Sequence, residues 1–312
     1  MTGPDHRRLA LTALLVVLGA GWGITQPLSK IAVSEGYRHI GLVFWQLTIS
    51  AVILAVVCAT RREPLPLRAD ALGMYLLIGV VGTVIPNSAS YQAAVYLPSG
   101  VLSVVLSLVP MFAFPMALLL AIDRFSWRRL AGLLCGLSGV AFLTLPGSPL
   151  PQAGLLVFLP LALVAPFFYS LEGNIVAKWG TAGLSPVQLI LGANLVGMCI
   201  AAPLALGTDQ WIDPLPPYGA PDAAIVALAA IHAIVYVSYV WLVGQAGAVF
   251  AAQVSYLVTG FGVVWAMLML GERYTGFFWG AMALMMCGLF LVQPRPGKSL
   301  VGRGPIGKSA AR

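Results

Sequence analysis

Charge is what this 312-residue chain has least of. Asp and Glu number 10 and Lys and Arg 17, together 9% of residues, while 60% are hydrophobic. With a mean hydropathy of +0.93, no soluble core could hide so much apolar surface, so a soluble enzyme is excluded and a membrane protein is left. Cysteine is scarce too. Cys58, Cys135, Cys199 and Cys287 stand in apolar stretches without paired spacing, which argues against a disulfide framework or a metal site. They read as small buried hydrophobes. No Gly-x-x-x-x-Gly-Lys-Ser/Thr is present, so ATP hydrolysis is not expected, and no cofactor or metal is implied. Long polar stretches are missing as well. The longest connector, Gly207 to Asp222, holds Trp211 and Tyr218 and is stiffened by Pro214, Pro216, Pro217 and Pro221, leaving no room for a soluble domain.

What the chain does have is apolar runs. A membrane span needs about 20 such residues, and ten candidates appear: Leu9 to Val33, Gly41 to Ala59, Leu72 to Ala93, Val101 to Ile122, Leu130 to Leu145, Gly154 to Ala177, Pro186 to Leu206, Ala223 to Val243, Val249 to Leu270 and Phe277 to Val292. The sparse cations orient them. With the N-terminus inside, fourteen Lys and Arg, from Arg7 and Arg8 to the tail Arg295, Lys298, Arg303, Lys308 and Arg312, fall on the cytoplasmic face. Only Lys30, Arg38 and Arg273 fall on the other. Both termini are then cytoplasmic, and the net charge of +7 needs no nucleic-acid partner. The expected location is a bacterial inner membrane. His6-Arg7-Arg8 before an apolar run imitates a cleavable signal, but losing the first span would break the count in half, so it is expected to stay.

The halves repeat one another. Asp123-Arg124-Phe125-Ser126 leading to Gly139 matches Glu272-Arg273-Tyr274-Thr275 leading to Gly288, 149 residues on, in identical register. Five spans separate the two acids, and an odd number of crossings puts them on opposite faces. That is the signature of an inverted repeat, the architecture by which many secondary carriers alternate access around a midplane site. Residues 1–148 and 149–297 are thus expected to be one five-helix fold drawn twice, followed by a basic tail over 298–312.

Aligned polar positions should face the shared axis. Thr83, Asn87 and Ser90 in the third span become His232, Tyr236 and Tyr239 after the same shift, one helical face in each case. Gln46 aligns with Asn194, one residue out of register. Trp22 stands near the middle of the first span with Gln26 one turn on, before the helix-kinking Pro27. The fourth span carries Pro110 and Pro115 beyond Ser103 and Ser107, and the ninth carries Gln253, Tyr256 and Thr259. Gly79/Gly82, Gly132/Gly136 and Gly192/Gly197 mark close helix contacts.

With Gly21-Trp22-Gly23 in the first span, an acid-Arg-aromatic-hydroxyl junction in each half, and Gly271-Glu272-Arg273-Tyr274-Thr275 running through to Gly288, the chain resembles the drug/metabolite transporter superfamily, in particular its EamA-type ten-helix exporters. The resemblance covers Leu9 to Val292. It implies an all-α integral membrane fold of ten transmembrane helices, two inverted five-helix repeats around a central cavity, with helices one, three, four, six, eight and nine lining it and five and ten outside. Members commonly have Arg where this chain has Gln46, and Pro where it has Thr259, so no charged substrate is carried over from relatives.

Two side chains could couple transport to protons. Glu172 is the sole acid inside a predicted span, where a carboxylate costs about 2.5–3.5 kcal/mol at the bilayer centre; the competing reading has it snorkel and pair with Lys178 or a loop Arg. His232 suits a proton relay, or is a neutral ring bonded to a neighbouring helix. Lys30 reads as a snorkelling headgroup contact. Asp123 and Glu272 read as structural, each favouring its own helix start and the adjacent Arg. The expected cavity is Trp22, Gln26, Gln46, Asn87, Tyr91, Tyr169, Asn194, His232, Tyr236, Tyr239, Gln253 and Tyr256, with amides and hydroxyls orienting a small amphipathic metabolite, an amino acid or aromatic compound, and rings supplying contact area. The expected partners are that small molecule and membrane lipid, as a monomer or homodimer. A passive channel shares these features. An intramembrane hydrolase would need Ser170 or Ser238 beside His232.

Overall fold

A computed structural model describes residues 4–143, 157–246, 248–251 and 253–292, and among them there is no strand. The helices are α1 (Pro4–Ala32), α2 (His39–Arg61), α3 (Ala69–Ile78), a π-helical turn (Gly79–Val84), α4 (Ile85–Tyr96), α5 (Ser99–Leu106), α6 (Val109–Leu119), α7 (Trp127–Phe142), α8 (Leu159–Trp179), α9 (Pro186–Gly207), α10 (Ala220–Ala246), α11 (Ala248–Ala251), α12 (Val254–Leu270) and α13 (Gly276–Val292). Seven helical stretches among the described residues are long and apolar enough to cross a membrane; α12 and α13 are apolar but shorter. Exposed Val17, Leu76, Leu119, Leu268 and Phe290 stud the outside of the bundle, a surface suited to lipid rather than water. The expected half boundary between residues 148 and 149 and the basic tail over 298–312 lie outside the described residues.

Several expected spans are not simple rods. The third is α3 and α4 joined through a π turn. The fourth breaks between α5 and α6, because Pro110 has no N–H to return to the Leu106 carbonyl; tight turns from Leu108 N to Val105 O (3.0 Å) and Met111 N to Leu108 O (2.9 Å) bridge the gap. The ninth divides into α11 and α12. The seventh, α9, begins with a full capping box in which Ser185 accepts from Gln188 N and the Gln188 side chain accepts from Ser185 N, just ahead of Pro186.

Packing has a regular plan. Helix α1 packs on α10 and α12, α8 on α4 and α6, α2 on α9 and α10, α9 on α3, α5 on α12, and α7 on α13. Exchanging α1 with α8, α2 with α9, α3–α4 with α10, α5–α6 with α11–α12 and α7 with α13 returns the same set of pairs. Small residues permit the closest contacts. A Cβ on Gly132 would stand 2.7 Å from the Gly288 carbonyl, and one on Gly288 2.6 Å from the Gly132 carbonyl, so α7 and α13 meet backbone to backbone. Gly23, one turn before Pro27, lies against Gly262 in the same manner.

The ionic contacts differ from expectation. Lys30 does not snorkel: its Nζ donates to the carbonyls of Ala94 (2.7 Å), Val95 (3.1 Å) and Leu97 (3.1 Å), closing the C-terminus of α4, where a cation complements the orphan acceptors. Glu272 serves neither its own helix nor Arg273. Its oxygens accept from Ser99 N (2.8 Å) and Gly100 N (3.2 Å) at the start of α5, and from Tyr274 Oη (2.5 Å). Burial first and the Glu272 carboxylate next push the Tyr274 phenol well above its ordinary range, so it stays a donor. Asp123 ion-pairs with Arg129 rather than Arg124 and accepts from Arg124 N. The connector before α10 is stapled to α2 by Trp45 Nε1 donating to Ile212 O (3.0 Å) and Ile40 N to the Gln210 side chain (3.1 Å). Trp211 accordingly packs on the Phe44 and Trp45 rings, while Tyr218 is exposed.

Candidate functional site

A cavity of about 570 Å³ opens between α1, α2, the π turn with α4, α8, α9, α10 and α12, within the size range of small-molecule sites. Its walls include ten of the twelve residues expected there: Trp22, Gln26, Gln46, Asn87, Tyr91, Tyr169, Asn194, His232, Tyr236 and Tyr239. Thr83, Ser90 and Glu172 line it as well, so all three polar pairs matched between the third and eighth spans converge on one space.

Gln253 and Tyr256 do not line it. Gln253 is exposed where α11 gives way to α12, and the tight turns Gln253 N to Phe250 O and Tyr256 N to Gln253 O (both 3.1 Å) reset the helix face there. Val254, Ser255, Val258 and Thr259 face the cavity instead. Tyr256, about 100° past Ser255, turns into the apolar core, where its buried hydroxyl has no partner among the described residues.

The cavity walls are braced by hydrogen bonds between helices. Tyr91 Oη donates to Gln46 Oε1 (2.9 Å) and Tyr169 Oη to Asn87 Oδ1 (2.9 Å), tying α4 to α2 and α8. The Trp22 and Tyr239 rings lie 5.1 Å apart at 55°. Thr25 and Ser29, on the same face of α1, donate to the Trp22 and Thr25 carbonyls, and Ser50 reaches Ala229 O (3.0 Å) on α10. Thr25, Ser29, Ser50 and Ser255 belong to the wall yet were not singled out from the sequence; for the first two, the i, i+3, i+7 spacing from Trp22 was the signal. Trp265 also went unremarked. Its Nε1 donates to Ala20 O (3.1 Å) and locks α12 to α1.

Among the described residues, the one acid in the wall is Glu172. Lys178 is engaged elsewhere, its Nζ 5.1 Å over the Trp179 ring, and in place of the pairing of the competing reading stands a carboxylate with no hydrogen bond or ion pair to any described residue. Across from it the backbone is bare. A Cβ on Gly82 would fall 2.6 Å from the Glu172 carboxyl carbon, so glycine in the π turn makes room for the carboxylate. Ser170 is buried and donates to Val109 O and Pro166 O (both 2.6 Å), linking α8 to the broken helix rather than standing free as a nucleophile. Among the described residues no cluster of His, Cys, Asp or Glu could hold a metal.

Residues 10–145 and 156–293 each match the EamA-like transporter family. The chain belongs to that family. A protein of Streptantibioticus cattleyicolor named as a probable terminal-alkyne amino-acid exporter is 25% identical over 90% of this chain and 92% of its own. An uncharacterized protein of Pseudomonas aeruginosa is 28% identical over 65% of this chain and 66% of its own. A solved crystal structure with 16% identity superposes with a TM-score of 0.61 over 91% of this chain and 97% of that one, a likeness of fold alone. This EamA member is therefore a multi-pass membrane transporter with two family repeats, and not an enzyme.

Proposed function

We propose that this EamA-family transporter is a secondary carrier of a bacterial inner membrane that exports a small amphipathic metabolite, an amino acid or aromatic compound, by alternating access. The observation that carries this is the cavity: amides, hydroxyls and rings from both halves of the chain meet in about 570 Å³ inside a bundle that is apolar outside. Ten helices in two inverted repeats, 1–148 and 149–297, with both termini and the tail 298–312 in the cytoplasm, are the matching topology. Helix pairing that survives exchange of the halves supports the repeat, and the bias of Lys and Arg supports the orientation. The named relative's amino-acid cargo supports the substrate class.

In this reading Trp22, Tyr91, Tyr169, Tyr236 and Tyr239 supply contact area, and Gln26, Gln46, Asn87 and Asn194 orient the substrate. Gradient coupling runs through Glu172 or His232. Flux of mixed metabolites into proteoliposomes, with and without a pH gradient, is the test. Accumulation beyond equilibrium is expected; equilibration alone would make the protein a passive facilitator. Loss of coupling in Glu172→Gln but not in His232→Gln would assign the proton site, and unchanged flux in both would refute the coupling.

A further inference from the structure

The electrical character of the cavity is lopsided. Among the described residues Glu172 is the only one in the wall with a full charge in its ordinary form, and no Lys or Arg lines the space. Around Glu172 the setting is a built one. The carboxylate lies over Gly82 in a widened π turn, the irregularity that helices often reserve for functional positions. Tyr169 and Tyr236 line the same cavity, and Tyr169 is itself held by Asn87 (2.9 Å).

From this geometry we infer that Glu172 is the amine subsite of the carrier: the transported molecule presents a protonated amine to this carboxylate, in the cavity that Tyr169 and Tyr236 also line and opposite the bare backbone of Gly82. The inference rests on the carrier reading and deepens it. A carboxylate in a low-dielectric space is stable as an ion only beside a counter-charge, and no cation of the described protein reaches this one. An ammonium group supplies three donors and a charge, and ring faces favour it further. A substrate carrying only a carboxylate would meet repulsion at Glu172 and find no guanidinium or ammonium to answer it. The amine is therefore the obligatory element, and the remainder of the molecule is held by neutral donors and rings.

The test is equilibrium binding to the purified full chain in detergent at constant pH, with five probes sharing one phenyl ring: phenylethylamine, phenylalanine, phenylalaninamide, N-acetylphenylalanine and 3-phenylpropionate. The first three should bind about tenfold or more tightly than the last two, the worth of a charged hydrogen bond. Glu172→Gln should erase the difference, and Glu172→Asp should weaken amine binding while keeping the preference, which separates loss of charge from loss of fold. Equal or tighter binding of the two acids, retention of the preference in Glu172→Gln, or binding by none of the five overturns the assignment. The carrier reading fails separately, if proteoliposomes move neither amines nor acids.

Discussion

The two acid-base junctions invite a quantitative comparison, since near-identical sequences are predicted to contribute very unequally to stability. Glu272 accepts from two backbone N–H groups of α5 and from the Tyr274 hydroxyl, and Ser99, whose amide it satisfies, is completely buried. A hydrogen bond to a charged group contributes about 1.5–3 kcal/mol, and a buried donor left unpaired costs about 1–3 kcal/mol. The terms overlap, so Glu272→Ala should destabilise by about 2–4 kcal/mol, a large part of a typical stability of about 5–15 kcal/mol. Asp123 is 38% exposed and its ion pair is with Arg129 on the same junction; pairs of this kind contribute under about 1 kcal/mol. Unfolding in detergent should therefore separate Glu272→Ala from Asp123→Ala by at least about 1 kcal/mol. Amide exchange at Ser99 and Gly100 should accelerate only in the former. Equal losses, or unchanged exchange at those two amides, would refute the reasoning.

Other outcomes follow from single contacts. Gly132→Val should disrupt the backbone contact of α7 with α13 and cost about 1–3 kcal/mol in unfolding, whereas Gly73→Ala, where nothing lies within 4 Å, should cost nothing. Lys30→Met should loosen the end of α4, read as faster amide exchange around Leu97 and a stability loss of about 1–3 kcal/mol from three carbonyls left without their cation. Tyr169→Phe leaves Asn87 without its donor and should cost about 1 kcal/mol, measured by the same unfolding assay. Cys135 and Cys287 adjoin Gly136 and Gly288, which meet across the contact of α7 with α13, so mild oxidation should crosslink the two helices, and mass spectrometry should find that disulfide ahead of any involving Cys58 or Cys199.

Much of the architecture was legible because lipid imposes it. A helix in hydrocarbon must be long, apolar and internally hydrogen-bonded, and those demands are written in composition. The polar faces were legible for a related reason: Thr83, Asn87 and Ser90 recur as His232, Tyr236 and Tyr239, and an amide or hydroxyl deep in an apolar run has few places to point except a cavity. Illegible were the features decided by tertiary neighbours. Lys30 looks like any cation near a helix end until α4 is seen to finish beside it. Glu272 looks like a cap for the helix it precedes, because sequence shows the following helix and not the one across the interface. Cys135 and Cys287 carry no shared spacing, yet packing of α7 on α13 sets them beside the Gly136–Gly288 contact. Tyr256 was misplaced because the break at α11 resets the face of α12, and its only sequence trace is a mixture of Gly and small residues that also suits an unbroken helix.

The duplication itself separates what the frame does from what the chemistry does. Shifting Glu172 back by 149 residues lands on Gly23, which packs against the Gly262 backbone; in one half the position is a helix contact, in the other a lone carboxylate facing Gly82. The acids of the two junctions diverge likewise, Glu272 holding the start of α5 and Asp123 holding Arg129. Helix pairing can be exchanged between halves while the charged groups cannot. Backbone packing tolerates duplication because small residues and apolar faces are interchangeable at about a kcal/mol each, but an unpaired charge in oil is costly enough that keeping two equivalent ones would be a heavy penalty. A duplicated transporter therefore keeps a common frame and assigns charge to one side. The corresponding prediction is specific: Gly23→Glu, which restores chemical symmetry, should fail to fold or insert, because the Gly262 backbone and the Phe261 side chain occupy the space that a side chain at position 23 would need. Normal expression and unfolding of that variant would show that the asymmetry is incidental.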